Sequence, residues 1–245
     1  MSNISKEGEK FIEDLNLYLF STGKSEQQIK EFIQEAEEHL ILGENEGKTI
    51  KDIFGDSPEE YAKSVAKEIS FDKVDVLQTA FIFILGFGTW IFLGGIDNKV
   101  FTMSLVEAVA TPIIFLITLF LIFYSSRKFA FKDKKWTISL FVIFILNIAS
   151  LVVVGLIGRS MDQTIVLNRL IVNLIIIILF VSLFIISKKI DTWILMLPFI
   201  WYVGVIISNF TSINLADNSV IRIVSPILGL VFTVLESKRM TREKA

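Results

Sequence analysis

The chain contains no cysteine and a single histidine, His39, among its 245 residues. Without cysteine there is no disulfide framework, thiolate nucleophile or Cys-based zinc or iron–sulfur site, and one histidine excludes a multi-His metal centre. His39 stands in Glu37-Glu38-His39-Leu40 on a predicted polar helix, a surface setting with too few donors for a metal. Proline (4) and glycine (13) are scarce beside 22 phenylalanines, which argues against collagen-like or low-complexity disorder. Charge is thin as well: 20% of residues are charged and 53% hydrophobic, with a mean hydropathy of +0.62. That balance excludes an ordinary water-soluble domain and puts the chain in the membrane class. There is no HExxH, no Gly-x-Ser-x-Gly and no GxxxxGK phosphate loop. The expectation is a non-enzymatic protein with no catalytic residue, no cofactor and no metal.

What charge there is divides unevenly. Residues 1–73 carry nine Lys against seventeen Asp or Glu, net −8, while residues 74–245 carry fifteen Lys or Arg against nine acids, net +6. The simplest account is an acidic aqueous domain over 1–73 joined to a basic transmembrane domain over 74–245. An acidic aqueous surface points away from nucleic acid, because phosphate binding needs a basic one. Met1 to Lys10 leads into an amphipathic, acid-bearing stretch and does not read as a signal peptide.

Within the acidic part, Phe11, Ile12, Leu15, Tyr18 and Leu19 recur at helical spacing and Gly23 follows as a terminator. Ser25 and Gln28 read as a capping box for a second helix carrying Ile29, Phe32, Ile33, Ala36 and Leu40, with Gly43 after it. Thr49 and Asp52 cap a short helix that Gly55 breaks. Ser57-Pro58-Glu59-Glu60 is the clearest start signal: Ser as N-cap, Pro at the first helical position and Glu60 reaching back. The helix it opens is expected to run through Phe71 toward the membrane.

Two acidic helices, then Gly47-Lys48-Thr49, then Phe54-Gly55-Asp56-Ser57-Pro58-Glu59-Glu60-Tyr61-Ala62 resemble the HAAS-type helical domain of Gram-positive bacterial membrane proteins over roughly the first 70 residues. Such proteins join a small cytoplasmic helical module to a multi-span membrane region. The resemblance implies a signalling or regulatory role and supplies no catalytic residue. It directs attention to Phe54, Gly55, Asp56, Ser57, Pro58 and Tyr61 as candidate partner-docking residues, with Phe54 and Tyr61 equally suited to the domain's own core.

Six apolar segments approach the ~20 residues a spanning helix requires. They are Val76–Gly95, Ser104–Ser125, Thr137–Gly158, Ile165–Ser187, Trp193–Phe210 and Ser219–Leu235. The predicted fold is therefore all-α: a small cytoplasmic helical domain followed by a six-helix transmembrane bundle. With the N-terminus inside, eleven basic residues fall in cytoplasmic loops and the tail, among them Arg127, Lys128, Lys132, Lys134, Lys135, Lys188 and Lys189, against only Lys99 and Arg159 opposite. This positive-inside pattern predicts a multi-pass protein of the plasma membrane with both termini cytoplasmic. The run Arg127 to Lys135, interleaved with Phe129 and Phe131, is suited to anionic headgroups but is needed in any case to hold that loop inside.

Polar residues at the span edges form a second group of candidates. Glu107, Arg169 and Arg222 all fall toward the extracellular side, where an ion cluster helped by Asn168 and Asn173 would close the outer end of the bundle. The alternative is that both arginines snorkel to headgroups while Glu107 is hydrated. Pro112 and Pro198 occupy corresponding spans of two inverted three-span halves, a pointer to transport. The leading expectation is a regulatory membrane protein whose helical domain docks a protein partner or the basic face of its own membrane domain. The alternative is a small-molecule or peptide transporter, or permease-like subunit, with a pathway between the halves. The lipid bilayer is the one partner implied throughout; oligomeric state is not encoded in any motif.

Overall fold

The computed structural model describes residues 4–94, 100–161, 164–211, 224, 227–236 and 239. Four short helices come first: α1 (Lys6–Ser21), α2 (Glu26–Asn45), α3 (Ile50–Phe54) and α4 (Pro58–Glu68). Then follow α5 (Lys73–Gly94), β1 (Val100–Ser104), α6 (Leu105–Phe129), α7 (Asp133–Arg159), β2 (Thr164–Asn168) and α8 (Arg169–Lys189). A 3-10 turn (Ile194–Met196) leads into α9 (Leu197–Trp201) and α10 (Val203–Phe210), and α11 (Ile227–Glu236) is a shorter apolar helix. Among the described residues the fold is all-α apart from one two-stranded ribbon, and α5, α6, α7 and α8 are long and apolar enough to cross a membrane.

The chain divides into two compact units, the first made of Met1–Thr79 and Val109–Ile157. In it the apolar stripes of α1, α2 and α4 converge, with Leu15, Leu19, Leu40 and Ala62 fully buried. The helix ends are set locally. Thr49 and Asp52 form a complete capping box, and the Ser57 hydroxyl accepts from the Glu60 amide at 3.3 Å with Pro58 in the first turn.

Three readings of this region need correction. Ser25 makes no side-chain cap: Gln28 instead accepts from the Ser70 amide and hydroxyl, at 2.9 and 2.8 Å, tying the start of α2 to the chain after α4. Gly43 does not end α2 but lies buried inside it, because a Cβ there would come within 2.6 Å of Ile53 Cγ1, and Gly47 takes the positive φ beyond the helix end. Finally, α4 stops at Glu68. Ile69 turns extended, Phe71 bridges to Lys24, and Asp72 accepts from the Val74 amide at 2.7 Å at the start of α5.

The same unit holds most of α6 and α7. Their contacts include polar ones: Ser125 with Ser139 at 2.7 Å, and Asn147 donating to Thr118 at 2.8 Å. Pro112 lies inside α6 without interrupting it.

The second unit comprises Ala80–Ala108 and Gly158–Ala245. Its ribbon pairs β1 with β2 antiparallel, from Val100 opposite Asn168 to Ser104 opposite Thr164. Residues 165–168, expected to begin the fourth span, are strand, so that helix starts at Arg169; an apolar run such as Ile165-Val166-Leu167 suits either state, and the partner strand decides. A small core forms around Leu93, Phe101, Ile176 and Leu183, with Met196 and Phe199. The expected fifth span is broken into the 3-10 turn, α9 and α10, with Pro198 in the first turn of α9. Of the expected sixth span, residues 219–223, 225 and 226 lie outside the described residues, and α11 is its described part.

Candidate functional site

The loop joining α6 to α7 is the place where the first unit concentrates its chemistry. Phe129 ends α6, the Lys132 amide donates back to the Phe129 carbonyl at 2.8 Å, and α7 starts at Asp133. The tight turn leaves Ala130 only 4% exposed as a member of the helical domain's core, and Phe131 packs on that core. The Phe131 ring lies 6.5 Å from that of Phe11 and 6.2 Å from that of Tyr18. Behind it Phe11 stacks on Phe54 at 4.6 Å, and Phe54 meets Tyr61 at 5.0 Å. The aromatic contacts therefore run without a gap from α4 to the loop between α6 and α7.

The two residues after Phe131, Lys132 and Asp133, each form an ion pair with the helical domain. Lys132 Nζ reaches Glu59 Oε2 at 2.8 Å, and Lys63 holds the other oxygen at 2.9 Å. These two ammonium groups, Lys132 foremost, hold the Glu59 carboxyl down at about 2. Lys10 bonds Asp133 and also approaches Asp14 at 3.3 Å. The hydrogen bond to Asp133 is the main cause raising the Lys10 ammonium, whereas burial pushes the Asp14 carboxyl up against the pull of Lys10.

The candidate docking residues separate by role. Phe54 (8% exposed) belongs to the core and Tyr61 packs on it, while Gly55, Ser57 and Pro58 build the turn into α4. The Asp56 side chain is 98% exposed beside Lys51. Sequence reasoning placed Phe131 among lipid- and topology-directed residues; nothing in the local pattern distinguishes an aromatic bound for headgroups from one bound for a distant core.

Of the residues expected to form an intramembrane cluster, Glu107, Asn168 and Arg169 stand at helix starts. Ser104 is the last residue of β1 and its hydroxyl accepts from the Glu107 amide at 3.1 Å, while Glu107 Oε2 accepts from the Ser104 amide and hydroxyl at 2.8 and 2.9 Å. This is a reciprocal capping box, readable as Ser-x-x-Glu. Gly158 backs onto it: a Cβ there would lie 3.1 Å from the Glu107 carboxyl carbon. Asn168 ends β2 and caps α8 by accepting from the Ile171 amide at 2.9 Å. Arg169 is the first residue of α8 and Asn173 lies one turn on, while Arg222 lies outside the described residues.

A third cluster, not anticipated, lies in the second unit after α8. Glu236 is 5% exposed and accepts from the Trp193 amide at 2.7 Å, and Arg239 joins it to Asp191. Asp191 has a φ of 49° in the turn that ends α8, a position glycine normally fills. Lys188 lies 4.6 Å from the Trp193 ring centroid. Among the described residues no group of three or more His, Cys, Asp or Glu is placed to hold a metal ion.

Comparison with protein-family models, with curated proteins and with solved structures finds no match.

Proposed function

We propose that the chain is a non-enzymatic, multi-pass regulatory protein of the plasma membrane, with both termini cytoplasmic. In this reading the HAAS-like helical domain is a docking module held on its own membrane domain, and α9–α11 complete six spans. One observation carries the reading: Phe131, from the loop between two apolar helices, is packed on the helical domain's core, and the next two residues make the ion pairs Lys132–Glu59 and Lys10–Asp133. A domain fastened in this way transmits a partner's binding to the membrane helices, because whatever displaces the loop must also uncover apolar surface. The acidic surface of the domain suits a protein partner with a basic patch.

The test is in-cell crosslinking with mass spectrometry, comparing the full chain with one lacking residues 1–72. A specific protein crosslinked to the full chain and lost on truncation supports the docking module. Unchanged crosslinks overturn it and move function to the membrane helices. A second reading, transport, draws support from the interrupted segment of α9 and α10, since broken helices line substrate paths in many carriers. The uninterrupted course of α6 through Pro112 removes the matching break that two inverted halves require.

A further inference from the structure

Where α1 ends and the chain passes from α4 to α5, the helical domain carries exposed aromatic side chains. Phe20, in the last turn of α1, is 43% exposed, and Phe71, between α4 and α5, is 57% exposed. The two are brought to one place by the turn after α1. Gly23 has a φ of 70°, and a Cβ on it would lie 3.0 Å from the Phe71 ring and 3.1 Å from Val76 Cγ2. Lys24 bridges to Phe71 and its ammonium donates to the Ile69 carbonyl at 2.9 Å. Val74 and Leu77, each 69% exposed, continue the apolar surface directly into α5.

The depth of this surface is fixed by α6. The Phe20 ring stacks on Phe123 with centroids 6.0 Å apart. Phe123 precedes Arg127 by four residues, about 6 Å along a helix axis. Arg127 and Lys128 are the basic end of that span, and Lys128 lies over the rings of Tyr124 and Phe129 at 5.4 and 5.5 Å, an arrangement suited to the headgroup layer. Phe20 therefore sits about one turn deeper than the charges that mark the membrane surface. The acids nearby are partnered: Asp72 accepts from the amides of Val74 and Asp75, Asp75 from the amide of Glu26, and the Glu26 carboxylate pairs with Lys30 at 2.9 Å.

We infer that the foot made by Phe20 and Phe71 is seated in the headgroup–acyl boundary of the leaflet on the helical domain's side, so that the bilayer itself is a binding partner of this domain. Aromatic side chains favour that boundary, and the foot is continuous with a span already in it. The inference rests on the domain being held against α6 and not on what it regulates.

The cysteine-free chain makes the test direct. Single variants Phe20→Cys, Phe71→Cys and Leu42→Cys carry a nitroxide in the full chain, reconstituted in phosphatidylcholine–phosphatidylglycerol vesicles; Leu42 is 64% exposed and serves as the aqueous reference. Labels at Phe20 and Phe71 are expected to collide more with oxygen than with a water-soluble nickel chelate, and the label at Leu42 the reverse. The unsubstituted chain is crosslinked in parallel with a photoactivatable phospholipid, with adducts expected in residues 18–24 and 69–72. Nickel access at Phe20 and Phe71 equal to that at Leu42, or lipid adducts confined to α5–α8, overturns the inference. A Glu59→Cys/Lys132→Cys crosslink that still forms in that case shows the domain held to its loop without touching lipid.

Discussion

Helices α1 and α7 are built from similar apolar residues and treat them in opposite ways. α1 hides Phe11, Ile12, Leu15, Tyr18 and Leu19 on one stripe and turns Glu7, Glu9 and Glu13 outward. α7 buries only Ile143 of its large apolar side chains within the chain, and Phe141, Phe144, Leu146 and Leu156 are all at least 56% exposed. In water, removing apolar area from solvent is the main stabilising term, about 25 cal/mol per Å². In lipid that term vanishes between helices, because the surrounding chains are as apolar as leucine. The contrast locates where each region gets its cohesion: α1 from packing, α7 from polar contacts with α6 and from the loop that Phe131 anchors.

The largest expected difference tests that contrast directly. Leu15→Ala in the helical domain should lower the free energy of opening by about 2–5 kcal/mol, read by hydrogen exchange at α1 and α4 amides of the full chain in nanodiscs. Val152→Ala, 54% exposed on α7, should stay within about 0.5 kcal/mol by the same readout. Equal losses at the two sites would sink the comparison. A smaller effect is expected from Asn147→Leu, which removes the hydrogen bond to Thr118: about 0.6 kcal/mol of hairpin stability in detergent melting, the average for such bonds between spanning helices.

The smallest effect is electrostatic. The Glu59 carboxyl is held at about 2, below its ordinary 4.5, by Lys132 and Lys63. Its contribution is thus present above pH 4.5 and is lost as pH falls from there toward 2. Distance measurements between labels on α4 and the α6–α7 loop should show loosening over that window, and Lys132→Ala should raise the Glu59 titration seen by NMR. At neutral pH added salt should screen the pair, since Glu59 and Lys132 are partly exposed, yet loosen the loop only slightly, because such a pair contributes little and Phe131 remains packed. A Glu59 titration unchanged in Lys132→Ala would break the assignment.

How far these features could be read in advance depended on how local their causes are. Ser57-Pro58 and Thr49 with Asp52 announce helix starts because the cap and its amide are three residues apart. Gln28 cannot announce Ser70, 42 residues away, and Gly43 looks like a terminator until Ile53 is laid across it. Apolar length identified the four long helices but not the ribbon, since Ile165-Val166-Leu167 shows no period that separates strand from helix. Glu107 drew notice as an acid near lipid, yet its partner stands three residues earlier, and Ser-x-x-Glu was there to be read. Phe131 carries no local mark at all; its place is decided by Phe11 and Tyr18, more than a hundred residues before it.

The ribbon sets rotational phase. Both strands end on the residue that caps the next helix, Ser104 for α6 and Asn168 for α8, so no slack chain separates ladder from helix. Each residue added to or removed from that junction would turn the following helix by about 100°. The register of β1 against β2 thus acts as a key in a keyway: it fixes which stripe of α8 meets Leu93 and Phe101 and which is left for lipid.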